Sequence, residues 1–105
     1  MSMLNSILLE GTITAISSET TKDNEPYCRF SIKTKHSKSP NFNSIVQSNI
    51  FPIECTGLQA EMCLSYFKAG TKVRVVGHLN KDENNVTIIV GEHIEIVVKN
   101  KEVED

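Results

Sequence analysis

IECTGLQAEMCLSYFKAGTKVRVVGHL, residues 53–79, joins a strand end, a helix and a new strand with no linker between them. Glu54 and Cys55 close an extended run at Gly57. Apolar residues then recur at Leu58, Met62, Cys63, Tyr66 and Phe67, one face of a 3.6-residue period, which predicts a short amphipathic helix over Leu58 to Lys68. Gly70 sits where a helix needs a left-handed residue to stop. From Thr71 to Val76 the chain alternates polar and apolar with a β-branched bias, so the next strand is expected to begin there.

Working outward, polar and turn-rich stretches at Ser17 to Pro26, His36 to Asn49, Ala69-Gly70 and Asn80 to Asn85 divide the remaining chain. Strands are expected between them at Asn5 to Ala15, Tyr27 to Lys35, Ser48 to Thr56, Thr71 to Leu79 and Val86 to Val98. Gly11 and Gly91 fall mid-strand, where a small barrel needs a bend or bulge. Pro52 cannot donate a ladder hydrogen bond and marks an edge, an outward-facing gap or a bulge. Five strands with one short helix between the third and the fourth, plugging one barrel end, make the expected class all-β and the architecture an OB-fold barrel. Residues 1–98 form that domain, and the polar tail Lys99 to Asp105 is expected to be frayed.

The 105 residues are enough for one modest core. Cys28, Cys55 and Cys63 are an odd number with no C-x-x-C spacing, which points to small buried hydrophobes, reduced in a cytoplasmic compartment. The opening MSMLNSILL has no positive charge ahead of its short apolar run, so it reads as a strand and not as a leader; no window approaches a membrane span. No nucleophile lies in a recognisable spacing from a base, and His36, His78 and His93 have no zinc-ligand spacing with the cysteines. No catalysis, metal or cofactor is expected.

The net charge is −2, from 11 basic and 13 acidic residues, which is not the basic body of a strong polyanion binder. The distribution is uneven, however. Between Pro26 and Ile53 there is no Asp or Glu, while Arg29, Lys33, Lys35 and Lys38 are all present. On strand alternation Cys28, Phe30, Ile32 and Thr34 point to one side, expected to be core; Tyr27, Arg29, Ser31, Lys33 and Lys35 point to the other. The inward set of the third strand is Phe51, Ile53 and Cys55.

The stretch from Gly57 through Ala60, Glu61, Tyr66, Lys68, Gly70, Val73, Val75 and Gly77 resembles the second half of the bacterial single-stranded DNA-binding protein domain. Asn5 to Gly11 (NSILLEG) resembles that family's opening strand, Arg29 to Thr34 (RFSIKT) its second and Glu92 to Val97 its last, so the likeness runs over roughly residues 4 to 98. Pro26-Tyr27-Cys28-Arg29-Phe30 is also similar to a Pro-x-Cys-x-Phe phrase of primosomal replication protein N, a dimeric OB-fold relative. Departures from the family concern its chemistry. There is no tryptophan; aligned through Gly57, the family's third-strand tryptophan falls on Ile50 and its phenylalanine on Thr56. The basic and aromatic finger between strands four and five is reduced to Asn80-Lys81-Asp82-Glu83-Asn84-Asn85, and the acidic end Glu102 to Asp105 lacks the Pro-Phe pair that recruits replication and repair enzymes.

An OB-fold binds single strands on the face of its second and third strands, with cations on phosphates and rings under bases. Arg29, Lys33 and Lys35 are the expected phosphate contacts, extended into the long loop by His36 and Lys38. Phe42 and Tyr27 are the candidate stacking rings, Tyr27 being equally a barrel-rim packing residue. The resemblance implies a single-stranded DNA-binding protein of replication, recombination or repair, non-sequence-specific, with RNA left open, acting as a homodimer or homotetramer through its first strand, where Leu8 points outward. The missing rings and net acidity favour a second reading: an OB-fold protein-interaction or assembly subunit with little nucleic-acid binding.

Overall fold

The computed structural model describes residues 3–17, 21–22, 25–37 and 46–98; Lys38, Phe42 and the tail at 99–105 lie outside them. In chain order the elements are β1 (Ile7–Ser17), β2 (Thr21–Lys22), β3 (Glu25–Ser37), β4 (Val46–Thr56), α1 (Gly57–Tyr66), β5 (Lys72–Lys81) and β6 (Thr87–Ile96). All five expected strands are present within a few residues of their expected bounds. The two-residue β2, which periodicity does not show, pairs with the start of β3 through Thr21 and Pro26.

What closes the sheet is the division of β1 between two partners. Its first half, Ile7 to Thr12, runs antiparallel to β5, and its second half, Thr12 to Ser17, runs antiparallel to β3. The order β1-β5-β6-β4-β3 therefore returns to β1 as a closed OB-fold barrel, with one short parallel pairing of Ile53 to Ile89 and Glu54 to Val90 joining β4 to β6. The strand changes partner next to Gly11, where a Cβ would stand 2.7 Å from the Lys33 carbonyl oxygen, so the two backbones meet only because the side chain is missing. A second close approach lies at Gly77, beside a bulge in the β5–β6 ladder, where a Cβ would be 1.9 Å from the carbonyl oxygen of Val90.

The alternation of β3 holds: Cys28, Phe30 and Ile32 are buried, as are Ile53 and Cys55 across from them, and Phe51 packs at the margin of the same core. Phe30 meets Phe67 edge to face with ring centres 6.3 Å apart. The Cys55 and Cys63 sulfurs are 3.5 Å apart in the core, and the Cys28 thiol reaches the Ser17 carbonyl at 3.8 Å. Burial, then the neighbouring Cys55, pushes the Cys28 thiol up to about 11; the hydrogen bond to Cys55, then burial, pushes Cys63 up as well.

The helix corrects the sequence expectation in two respects. It ends at Tyr66, and Phe67 is already extended, its N–H bonded to the Cys63 carbonyl. Gly70 is therefore not the helix stop. It is the third residue of a following turn closed by Thr71 N–H donating to the Lys68 carbonyl, and its φ of +97° is the value that turn position demands. The inward face agrees only in part: Cys63 and Phe67 are buried as expected and Ala60 joins them, whereas Leu58 is 77% and Tyr66 71% exposed. Apolar residues form two stripes on this helix, and the pattern alone does not orient it. Close approach to the barrel end selects the stripe with the small residues Ala60 and Cys63, because a Leu or Tyr there would hold the helix off the strands. The Gln59 side chain fixes the arrangement by accepting the Ile94 N–H at 3.1 Å.

Replacing Gly77 by Ala is expected to lower stability by on the order of 3 kcal/mol, read from urea unfolding, since the Val90 carbonyl is ladder backbone and has nowhere to retreat. In the folded protein all three thiols are expected to resist a thiol reagent and to react together once denaturant is added; a rapidly reacting native thiol would contradict the core placement.

Candidate nucleic-acid interface

Outward residues of β3 face outward residues of β4 in strict register: Arg29 opposite Glu54, Ser31 opposite Pro52, Lys33 opposite Ile50 and Lys35 opposite Ser48. Ile50 is 61% exposed on this face, so the position matched to the family's tryptophan does project outward, as an aliphatic group. Lys33 and Lys35 form no ion pair with any other described residue.

The other end of the face is electrically closed. Arg29 pairs with Asp82 at 3.2 Å, and the hydrogen bond to that carboxylate raises the guanidinium pKa further. Asp82 stands at the base of the β5–β6 turn, where its Oδ1 accepts the N–H groups of Asn84 at 2.9 Å and Val86 at 3.0 Å, while Asn85 takes a left-handed φ of 63°. Those bonds, with the Val86 N–H the largest cause, hold the Asp82 carboxyl below its ordinary value. The shortened hairpin thus folds as an Asx-type turn and delivers a carboxylate to Arg29. Tyr27 is only 3% exposed and its hydroxyl donates to Glu54 Oε2 at 2.6 Å. Of its two expected roles, packing at the barrel rim is the one that this burial fits.

The stretch that is free of acids in sequence is therefore not free of them in space. Glu54 arrives through the β4 register and Asp82 through the hairpin, both on the Tyr27–Arg29 end. Lys33 and Lys35 stay clear, and the fold adds to them a cation that no local pattern indicates. Both line a concavity of about 550 Å³ together with Glu10, Gly11, Thr12 and Lys72. Lys72, the first residue of β5, reaches it because Thr12 pairs with Lys72 on one side and with Lys33 on the other. Only the double pairing of β1 carries that information. His36 belongs to the β3 backbone beyond Lys35, and Lys38 and Phe42 follow outside the described residues.

The neighbouring outer surface, across β1, β5 and β6, is charge-balanced within the chain. Arg74 bridges Glu10 at 3.1 Å and Glu95 at 3.2 Å, Lys72 reaches Glu10 at 3.3 Å, and His78 pairs with Glu92. Leu8 stands exposed beside Val76 on that surface. Among the described residues no group of His, Cys, Asp or Glu has the geometry of a metal site, and no helix is long and apolar enough to cross a membrane.

Comparison with known proteins agrees with the barrel fold. The model of the Single-strand binding protein family matches residues 4–103. Among solved structures the chain is similar to the Plasmodium falciparum SSB in complex with single-stranded DNA, with a TM-score of 0.76 and 16% identity over 95% of this chain and 98% of that one. The single-stranded DNA-binding protein of Thermus aquaticus gives 0.76 and 20% over 93% of this chain and 52% of its own. PriB from Ralstonia solanacearum gives 0.72 and 15% over 90% and 98%. No curated protein sequence matches the chain.

The depressed Asp82 carboxyl stabilises the folded state at pH values above its ordinary 3.8, and that contribution is lost as pH falls through the lower folded value. Asp82→Asn is expected to lower the urea midpoint at neutral pH and to flatten its decline below pH 4. An unchanged acid limb would show that the turn does not depend on the charge.

Proposed function

The chain belongs to the Single-strand binding protein family, and from that premise we propose that it binds single-stranded DNA, without sequence preference, along the outer face of β3 and β4. The observation that carries this reading is the pair of adjacent cations Lys33 and Lys35, on one face of one strand and without carboxylate partners among the described residues. His36, Lys38 and Phe42 extend the proposed path by their place in the chain. Arg29 contributes only if an incoming phosphate displaces Asp82, and Tyr27 contributes as packing that holds the strand in register.

Binding is expected to be electrostatic in character. Aromatic stacking contributes about 1 to 3 kcal/mol per base, and here there is no tryptophan, Tyr27 is buried and Ile50 occupies the matched position. Affinity then rests on phosphate contacts and falls steeply with salt. The role proposed is binding in replication, recombination or repair, in the cytoplasm and with no reaction assigned. A homodimer or homotetramer contacting through the β1 surface around Leu8 would supply the several barrels that a useful length of strand requires.

A second reading, an assembly subunit that retains the barrel and has lost the ligand, is favoured by one observation: the closing of the Arg29 end by Asp82 and Glu54. One experiment separates the two. Oligo-dT labelled for anisotropy is titrated at two salt concentrations, with oligo-rU alongside to compare RNA. The nucleic-acid reading predicts saturable binding with a steep slope, and the double substitution of Lys33 and Lys35 by Glu abolishes binding at moderate salt while leaving the thermal unfolding of the protein unchanged. Neutral replacement of both by Gln is expected to make the log–log slope shallower by about 1.4, at about 0.7 per phosphate on a single strand. Wild-type protein that does not bind, or substitutions without effect, would favour the assembly role.

A further inference from the structure

We propose that the concavity between β1, β3 and the start of β5 is a phosphate seat formed by Lys33, Lys35 and Lys72, and that Glu10 is its resident counter-anion, surrendering Lys72 when a phosphate arrives. The inference rests on the reading of the chain as a binder of single strands and deepens it, since it adds a cation from a third strand and a competing anion within the protein.

Four side chains and one missing side chain make the case. Lys33 and Lys35 reach the concavity from β3, Lys72 from β5 and Glu10 from β1, and the volume of about 550 Å³ is ample for a phosphate group and its hydration. Gly11 makes the convergence possible, because any Cβ there would meet the Lys33 carbonyl oxygen and push β3 away from Glu10 and Thr12. The charges are unequal: three ammonium groups stand over one carboxylate. Glu10 uses Oε2 on Lys72 at 3.3 Å and Oε1 on Arg74 at 3.1 Å. Two of the three lysines are therefore left without an anion from the described residues, which is the arrangement expected of a site that receives one.

The exchange strands no charge. Arg74 is shared between Glu10 and Glu95, so when Lys72 turns to a phosphate oxygen the Glu10 carboxylate keeps its guanidinium partner. A diester phosphate thus replaces one carboxylate contact of an exposed lysine and gains two further ammonium groups. The polyanion path would run from the β3–β4 face across the β1–β3 seam toward the beginning of β5, a course that Lys33 and Lys35 alone do not specify. Glu10 holds the empty seat partly neutral and weakens binding, and its removal unmasks the site.

The test uses the full chain and three single substitutions, Glu10→Gln, Lys72→Gln and Glu95→Gln, each titrated with labelled oligo-dT at low salt. Glu10→Gln is expected to tighten binding about fivefold, the scale of an exposed ion pair, and Lys72→Gln to weaken it by a similar factor. Glu95→Gln removes the same charge from the same arginine but does not line the seat, and should shift affinity by less than half as much on a logarithmic scale. In the Glu10→Gln background the loss caused by Lys72→Gln should be larger than in the wild type, because Lys72 is then fully available to the ligand. Oligo-dT binding that none of the Glu10 and Lys72 substitutions alters would overturn the seat and leave the nucleic-acid reading standing, and an equal effect of Glu10→Gln and Glu95→Gln would overturn Glu10 as a local competitor. Sodium pyrophosphate supplies the independent arm. Chemical-shift changes confined to residues 10–12, 33–35 and 72 that saturate, and that Lys72→Gln abolishes, support the seat even where oligo-dT fails to bind; shifts absent or spread over all lysines would overturn it.

Discussion

The closed barrel and the cationic concavity beside it both depend on β1 serving two neighbours. A strand that paired with β5 along its whole length would leave an open sheet, and one that paired only with β3 would leave β5 as an open edge of a sheet held through β6 and β4. The change of partner beside Gly11 closes the barrel, and the same approach of backbones sets Glu10 and Thr12 against Lys33. Barrel closure and assembly of the cationic concavity are thus one event. The absence of a single Cβ permits both.

The electrostatic picture follows from register more than from composition. Cross-strand pairing sets Glu54 against Arg29, and the tight turn at Asp82 adds a second carboxylate, so one end of the β3 face is spent on internal structure. Lys33 and Lys35 escape because their β4 partners are Ile50 and Ser48, which carry no charge. A face that looks uniformly basic along the chain therefore divides into a neutralised half, which holds the hairpin in place, and a half whose lysines have no ion pair among the described residues.

Tyr27 aside, the period-2 alternation of β3 identified core and surface, since Cys28, Phe30 and Ile32 inside and Arg29, Lys33 and Lys35 outside are what the fold displays. Element order was legible for the same reason: turn-rich interruptions and glycines bound short runs of unambiguous period. The helix was harder, because Leu58, Met62 and Tyr66 form as good an apolar stripe as Ala60, Cys63 and Phe67, and only the small clearance above the barrel end chooses between them. The helix end was misplaced by two residues, Lys68 for Tyr66: a left-handed glycine such as Gly70 serves a turn as readily as a helix end, and the distinction lies in which carbonyl its neighbour's N–H finds. The role of Tyr27 was undecidable from alternation, which puts it on the outer face, where its rim position and the bond to Glu54 bury it.

Local sequence, through period and punctuation, determined by itself the five strands, the intervening helix, the buried cysteines and the concentration of cations in the second strand, since each depends on contacts between residues near one another in the chain. The tertiary structure alone decided which of those cations keep their charge available and which distant residues join them. Asp82 lies 53 positions from Arg29, and Lys72 and Glu10 come together only because their strands lie side by side in the closed barrel. Coulomb interactions act through space over a few ångströms without regard to chain separation, and for that reason a stretch without acids in sequence is a statement about order along the chain, whereas a binding face is a statement about distance.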